Sequence, residues 1–220
     1  MFQPFDPRGE VEVYFTNMPH WRQKGCSYFV NYRLADSIPK SILEDWEEDK
    51  RNWLTRRGYP IASGEHWKDA FLALPRQLQF EFQKCFNREL NTYLDGGSGS
   101  CALRNPRCSQ VVVDGWEHFH EKRYELFSLV VMPNHVHLLL RPLDGHSLER
   151  ILQSRKRQSS RKINELNGKT GQLWQKHSYD HIVRNEAALR KFEEYISDIP
   201  QKAGLKEGFQ VRRFDWQSNP

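Results

Sequence analysis

Two histidines sit two residues apart in an apolar run, Met132-Pro133-Asn134-His135-Val136-His137-Leu138-Leu139-Leu140. Side chains alternate faces along a β-strand, so His135 and His137 project together while Val136 and Leu138 project the other way, into a core. Two imidazoles on one strand face can hold a divalent metal ion, and such an ion polarises a phosphate oxygen. Pro133-Asn134 reads as a turn and puts the pair at the mouth of a hairpin. The spacing also fits a plain buried pair, so a second feature must decide. That feature is Tyr195, on a candidate helix with Phe192, Ile196 and Ile199 on its apolar stripe. There a tyrosine can lay its ring against a sheet and leave its hydroxyl at the surface. A phenol with a pKa of about 10 is a weak nucleophile at neutral pH. Beside a metal-bound phosphate it can lose its proton as it attacks, giving a phosphotyrosine ester. Without the histidines, Tyr195 reads as an amphipathic core tyrosine.

The elements that must position these groups follow from periodicity. Residues 28–35 alternate Val30, Tyr32 and Leu34 on one face, a strand. Residues 40–57 mix both charges around an apolar stripe and read as an exposed inserted helix. Pro75 opens a helix with Leu78, Phe82, Cys85, Phe86 and Tyr93 on one face, ended by Gly96-Gly97-Ser98-Gly99-Ser100. Asn105-Pro106 caps another, with Val111, Val112, Trp116 and Phe119 as its stripe. Two apolar strands, 124–132 and 135–141, flank the Pro-Asn turn. A helix over 147–165 carries Arg150, Arg155, Lys156, Arg157, Arg161 and Lys162 with no acidic residue among them. A short strand at 178–184 and a last helix capped by Asn185 complete the order. The pattern predicts an α+β fold, a ferredoxin-like antiparallel sheet with helices on one face and an inserted helical segment. Residues 1–26, with Pro4, Pro7, Pro19 and Gly25, read as an irregular arm.

The 220 residues suffice for one large domain with an insertion, and a net charge of +5 favours an anionic partner, nucleic acid first. The six basic residues of the 147–165 helix would then track a DNA backbone. Cys26, Cys85, Cys101 and Cys108 lack zinc-ribbon spacing. No apolar run reaches membrane-span length and the N-terminus lacks a signal-peptide core, so a cytoplasmic location without membrane contact is expected.

Several stretches together resemble one family. Tyr28-Phe29-Val30-Asn31-Tyr32-Arg33-Leu34-Ala35 is similar to its first strand. Tyr124 followed by Val130-Val131-Met132-Pro133-Asn134-His135-Val136-His137 is similar to its histidine-hydrophobe-histidine (HUH) strand. Leu173-Trp174-Gln175-Lys176, Asp180-His181, Arg184-Asn185, Glu194-Tyr195-Ile196 and Pro200-Gln201-Lys202-Ala203-Gly204-Leu205 match the segment through the catalytic helix. The chain resembles the REP-associated tyrosine transposases, a branch of the single-tyrosine HUH endonucleases of bacterial insertion sequences. The resemblance spans about residues 25–206 and implies an HUH endonuclease domain over 27–206, an insertion at about 38–67 and a tail at 207–220.

The resemblance further implies that His135 and His137 bind Mg2+ or Mn2+, and that Tyr195 nicks single-stranded DNA and keeps the 5′ phosphate. The substrates would be hairpins formed by short palindromic repeats, and the protein a monomer or homodimer. The family's third, polar metal ligand falls at Ile199, which cannot coordinate; Asp198 beside it is the expected substitute. Tyr179, between His177 and His181, is a competing nucleophile, disfavoured because it falls on a strand. His177 and His181 read as a strand edge or phosphate contact rather than a second metal pair. The main alternative is a non-catalytic DNA- or RNA-binding protein on the same fold. A small metal-dependent hydrolase would need neither Tyr195 nor the basic helix.

Overall fold

The computed structural model describes residues 2–15 and 19–215. In chain order they form β1 (Glu12–Phe15), β2 (Pro19–Arg22), β3 (Tyr28–Arg33), α1 (Lys40–Thr55), α2 (Trp67–Leu72), α3 (Arg76–Asp95), α4 (Pro106–Glu117), β4 (Tyr124–Val131), β5 (His135–Pro142), α5 (Leu148–Leu166), β6 (Tyr179–Ile182), α6 (Glu186–Lys202) and β7 (Gln210–Arg213). A 3-10 turn at Ala102–Arg104 precedes α4. The chain divides into two compact units, Ile38–Gly99 and the remainder.

The larger unit is built on a five-stranded sheet ordered β6-β3-β5-β4-β7, every pair antiparallel. The first four strands have the ferredoxin-like order, so the α+β class and antiparallel sheet stand. The helices, however, cover both faces rather than one. Tyr28, Val30, Tyr32, Val136, Leu138 and Leu140 pack with Val112, Val113 and Trp116 of α4 and Ile151, Leu152 and Ile163 of α5. Phe29, Phe127, Val130 and Leu139, on the opposite face, pack with Leu189, Ile196 and Ile199 of α6. The reason is that β3, β4 and β5 are buried on both faces, and two buried faces need two covers. Trp116 Nε1 donates to Tyr32 Oη at 2.9 Å and Tyr124 Oη donates to the Trp116 carbonyl at 2.7 Å, which satisfies these polar groups inside the core.

The arm expected to be irregular over 1–26 contains a hairpin: β1 and β2 pair from Glu12 opposite Arg22 to Phe15 opposite Pro19. It is clamped to β6 by charge. Arg22 donates through Nη1 and Nη2 to the two Asp180 oxygens at 2.7 and 2.8 Å, and through Nε to Glu149 Oε1 at 2.6 Å. His20 Nδ1 lies 2.6 Å from Asp180 Oδ2. Periodicity could not reveal this clamp, because its partners are 158 and 160 residues apart in sequence. The expected tail also contributes a strand, since β7 pairs with β4 from Ser128 opposite Arg213 to Val131 opposite Gln210. The parts of arm and tail at residues 1, 16–18 and 216–220 lie outside the described residues.

The smaller unit is helical and runs to Gly99, past the expected boundary near residue 67. Trp67, Phe71, Phe82 and Phe86 pack ring on ring at centroid distances of 4.6–6.1 Å, tying α2 to α3. Trp53 of α1 meets the Phe82 ring edge-on at 5.3 Å. The α3 stripe therefore completes a small aromatic core.

The clamp predicts a pH dependence. Burial alone would raise the Asp180 carboxyl, but the hydrogen bonds from Arg22 and His20 outweigh it and hold the group below the ordinary range. A depressed carboxyl contributes stability above its unfolded value, about pH 4, and loses it as pH falls through the folded value. Asp180→Asn should cost about 3 kcal/mol at pH 7, because Arg22 is left buried and poorly paired, and should lessen the acid sensitivity. Urea unfolding of both chains between pH 7 and 3 measures this; an unchanged pH slope would refute it.

Candidate active site

His135 and His137 occupy the first and third positions of β5 and are completely buried. Their rings stand perpendicular with centroids 4.7 Å apart, on one sheet face as alternation requires. The Asn134 amide oxygen lies 2.7 Å from His135 Nδ1. That contact puts the ring proton on Nδ1 and a lone pair on Nε2. Neither ring nitrogen of His137 meets a hydrogen-bond partner among the described residues. A buried polar atom left so costs about 1–3 kcal/mol, so the site is built for something that satisfies it. Burial pushes His135 down to about 3. Burial, and then the neighbouring His135, hold His137 well below its ordinary value. Both imidazoles are therefore neutral at physiological pH, the form that ligates a metal. The donor set and the unsatisfied His137 ring fit a divalent ion.

Helix α6 brings the third group. Asn185 Oδ1 accepts the Ala188 amide at 2.8 Å and starts the helix, while Leu189, Ile196 and Ile199 fix its buried stripe. Tyr195, half-buried beside that stripe, meets the His137 ring edge-on at 5.4 Å and the Phe29 ring at 5.8 Å. Phe29 also stacks on His137 at 5.4 Å and on Phe192 at 4.6 Å. The three site residues thus converge. One detail differs from expectation: the Tyr195 hydroxyl oxygen is buried rather than at the surface, because the ring lies in an aromatic wall.

Asp198 is not brought to the histidines. Its side chain is 54% exposed and pairs with Lys202 Nζ at 3.5 Å, one helical turn on. Ile199 is 1% exposed and belongs to the core under α6. Tyr179 lies on the same sheet face, opposite Asn31, with its ring 6.5 Å from Phe29. Burial pushes the Tyr179 phenol well above its ordinary value, which disfavours its ionisation. His181 packs against Phe192 and is lowered by burial and Arg184. The residues that sequence reasoning passed over are Phe29 and Arg33. The strand was read from its other face, yet the same alternation puts Phe29, Asn31 and Arg33 beside the histidine pair.

The basic helix needs a correction. Arg155 is buried: Nη1 donates to the Gly115 carbonyl at 2.8 Å and the guanidinium lies 4.3 Å from the Phe119 ring centroid. Lys156 Nζ donates to the carbonyls of Gln175 and Lys176 at 2.5 and 3.0 Å, and to Ser178 Oγ at 3.3 Å. These two cations brace α5 against its neighbours. Arg150, Arg157, Arg161 and Lys162 remain exposed. Helix α5 packs on the sheet face opposite the histidines, so its exposed cations do not line the histidine pair.

Residues 113–199 match the family described as "Transposase IS200 like". That stretch carries the histidine strand, the basic helix and most of the tyrosine helix. Among solved structures, a REP-associated tyrosine transposase bound to a REP hairpin aligns at 15% identity over 86% of this chain and 75% of its own, with a TM-score of 0.43. A Deinococcus radiodurans protein described as a transposase aligns at 14% identity over 89% and 97%, with a TM-score of 0.29. At those scores the likenesses decide nothing about function. No curated protein matches the chain. No helix among the described residues is long and apolar enough to cross a membrane.

The folded histidines titrate below the free value of about 6.5, so the unfolded chain gains protons first as pH falls. Their effect is absent above pH 6.5 and lowers stability progressively below it. The double variant His135→Gln, His137→Gln should flatten stability between pH 6.5 and 4.5, measured by urea unfolding. On α5, Arg155→Ala should cost about 2 kcal/mol of stability, by removing a buried hydrogen bond and ring contact. Replacing Arg157, Arg161 and Lys162 together by alanine should leave the melting temperature nearly unchanged and reduce the salt slope of single-stranded DNA binding, by up to about 0.7 for each phosphate that is no longer neutralised. An unchanged salt slope would place the DNA elsewhere.

Proposed function

We propose that this protein is a metal-dependent endonuclease and strand transferase for single-stranded DNA, acting on hairpin-forming repeats through a 5′-phosphotyrosine intermediate. The observation that carries the reading is the convergence of Tyr195 with two neutral, buried imidazoles on one sheet face. His135 and His137 would hold Mg2+ or Mn2+, which when bound would polarise a non-bridging phosphate oxygen. The imidazole pair suits Mn2+ better than Mg2+, since magnesium prefers oxygen ligands.

Tyr195 Oη attacks the phosphorus and the bond to the 3′ oxygen breaks. The phenolic proton passes to water, and the departing 3′ oxygen takes one up. The ester keeps the bond energy, so a 3′ hydroxyl can reverse the step and join a new strand. Phe29 and Phe192 wall the site against water and hold the tyrosine ring. The buried hydroxyl must be uncovered for DNA to reach it, consistent with catalytic contacts that form only in the complex.

A single-stranded hairpin oligonucleotide labelled at both ends tests this. The parent chain with Mn2+ should give a free 3′ end and a protein-linked 5′ fragment. Tyr195→Phe should give neither while binding DNA as before. Mn2+ should raise the melting temperature of the parent by roughly 5 °C at a hundredfold excess over its dissociation constant, and that of His135→Ala, His137→Ala not at all. Asp198→Ala should leave the metal requirement unchanged, since that carboxylate faces Lys202. Binding without cleavage under any divalent metal would favour the non-catalytic DNA-binding reading.

A further inference from the structure

Arg33 is the last residue of β3, directly opposite His135 on β5, so its side chain leaves the sheet on the histidine face. It is 9% exposed. A buried guanidinium is ordinarily neutralised by a carboxylate. This one has none among the described residues. Its hydrogen bonds are Nη1 to Ser37 Oγ at 3.0 Å and to the Leu34 carbonyl at 3.5 Å. Nε and Nη2 are left over, the geometry that receives two oxygens of one phosphate. Burial lowers Arg33 to about 10, so it remains a cation at neutral pH. Lys156 is lowered to about 8 by burial and by the charge of Arg33.

We propose that Arg33 grips a DNA phosphate beside the histidine pair, donating from Nε and Nη2 to its non-bridging oxygens. The proposal rests on the DNA-cleaving reading for what enters the site, and makes Arg33 a substrate-binding residue of that same site. Ser37 and the Leu34 carbonyl act as its positioning groups, since they hold Nη1 and so orient the plane of the fork.

The test is a set of hairpin oligonucleotides with single-stranded flanks, each with one phosphate replaced by a neutral methylphosphonate. They are bound to the Tyr195→Phe chain and to the double variants Tyr195→Phe, Arg33→Gln and Tyr195→Phe, Arg33→Lys. In the Tyr195→Phe chain, neutralising one particular phosphate should weaken binding about tenfold, the loss of a charge-assisted hydrogen bond. With Arg33→Gln that penalty should vanish at that position and persist at the others. Arg33→Lys should retain part of it, as a point charge without the fork. Equal melting temperatures of the three chains exclude a folding defect. If Arg33→Gln weakens every oligonucleotide by one common factor, or no oligonucleotide is bound, or no positional penalty changes, the proposal is overturned. If the positional penalty depends on Arg33 while the parent chain cuts no strand, the cleavage reading fails and the phosphate contact stands.

Discussion

The alternation of β5 is the constraint on which the rest of the structure depends. Val136, Leu138 and Leu140 must enter the core shared with α4 and α5, which leaves His135 and His137 no choice of face. The strand is central, with β3 on one side and β4 on the other, so neither face can be left to water. Helix α6 supplies the second cover, and in doing so sets Tyr195 over His137. A one-residue slip of register would exchange the histidines for valine and leucine and lose both the core and the site. Fold and chemistry therefore share one determinant.

Burial then sets the electrostatics. Desolvation keeps both imidazoles neutral, the state that binds a metal and the state that costs least when the site is dry. The same dry face retains the Arg33 guanidinium without a carboxylate. A core that tolerates neutral histidines and a lone cation is poor in stability but well prepared for an anion. Elsewhere Asp180 takes both Arg22 and His20, and Arg141 pairs with Glu125 at 2.7 Å, while the buried Arg155 is held by the Gly115 carbonyl and the Phe119 ring.

The sequence by itself determined β3 to β6 and the helices of the larger unit, the common face of His135 and His137, and the helix bearing Tyr195, because each is a local period of two or of three to four residues. It also carried a resemblance to the tyrosine transposases, since spaced motifs need no structure to be compared. Tertiary structure decided what depends on partners far away in the chain. The helices divide between both sheet faces because β3, β4 and β5 are buried on both. Arg155 and Lys156 brace α5 while Arg157 and Arg161 face solvent, a division fixed by which side of the helix meets the core. Asp198 looks outward because Ile199 takes the inward position on the same turn. The N-terminal hairpin is held to the sheet by Asp180, more than 150 residues away, which supplies its counter-charge. Arg33 became visible once β5 was set beside β3, for a cation's significance lies in the carboxylate it lacks, and only packing shows which groups surround it.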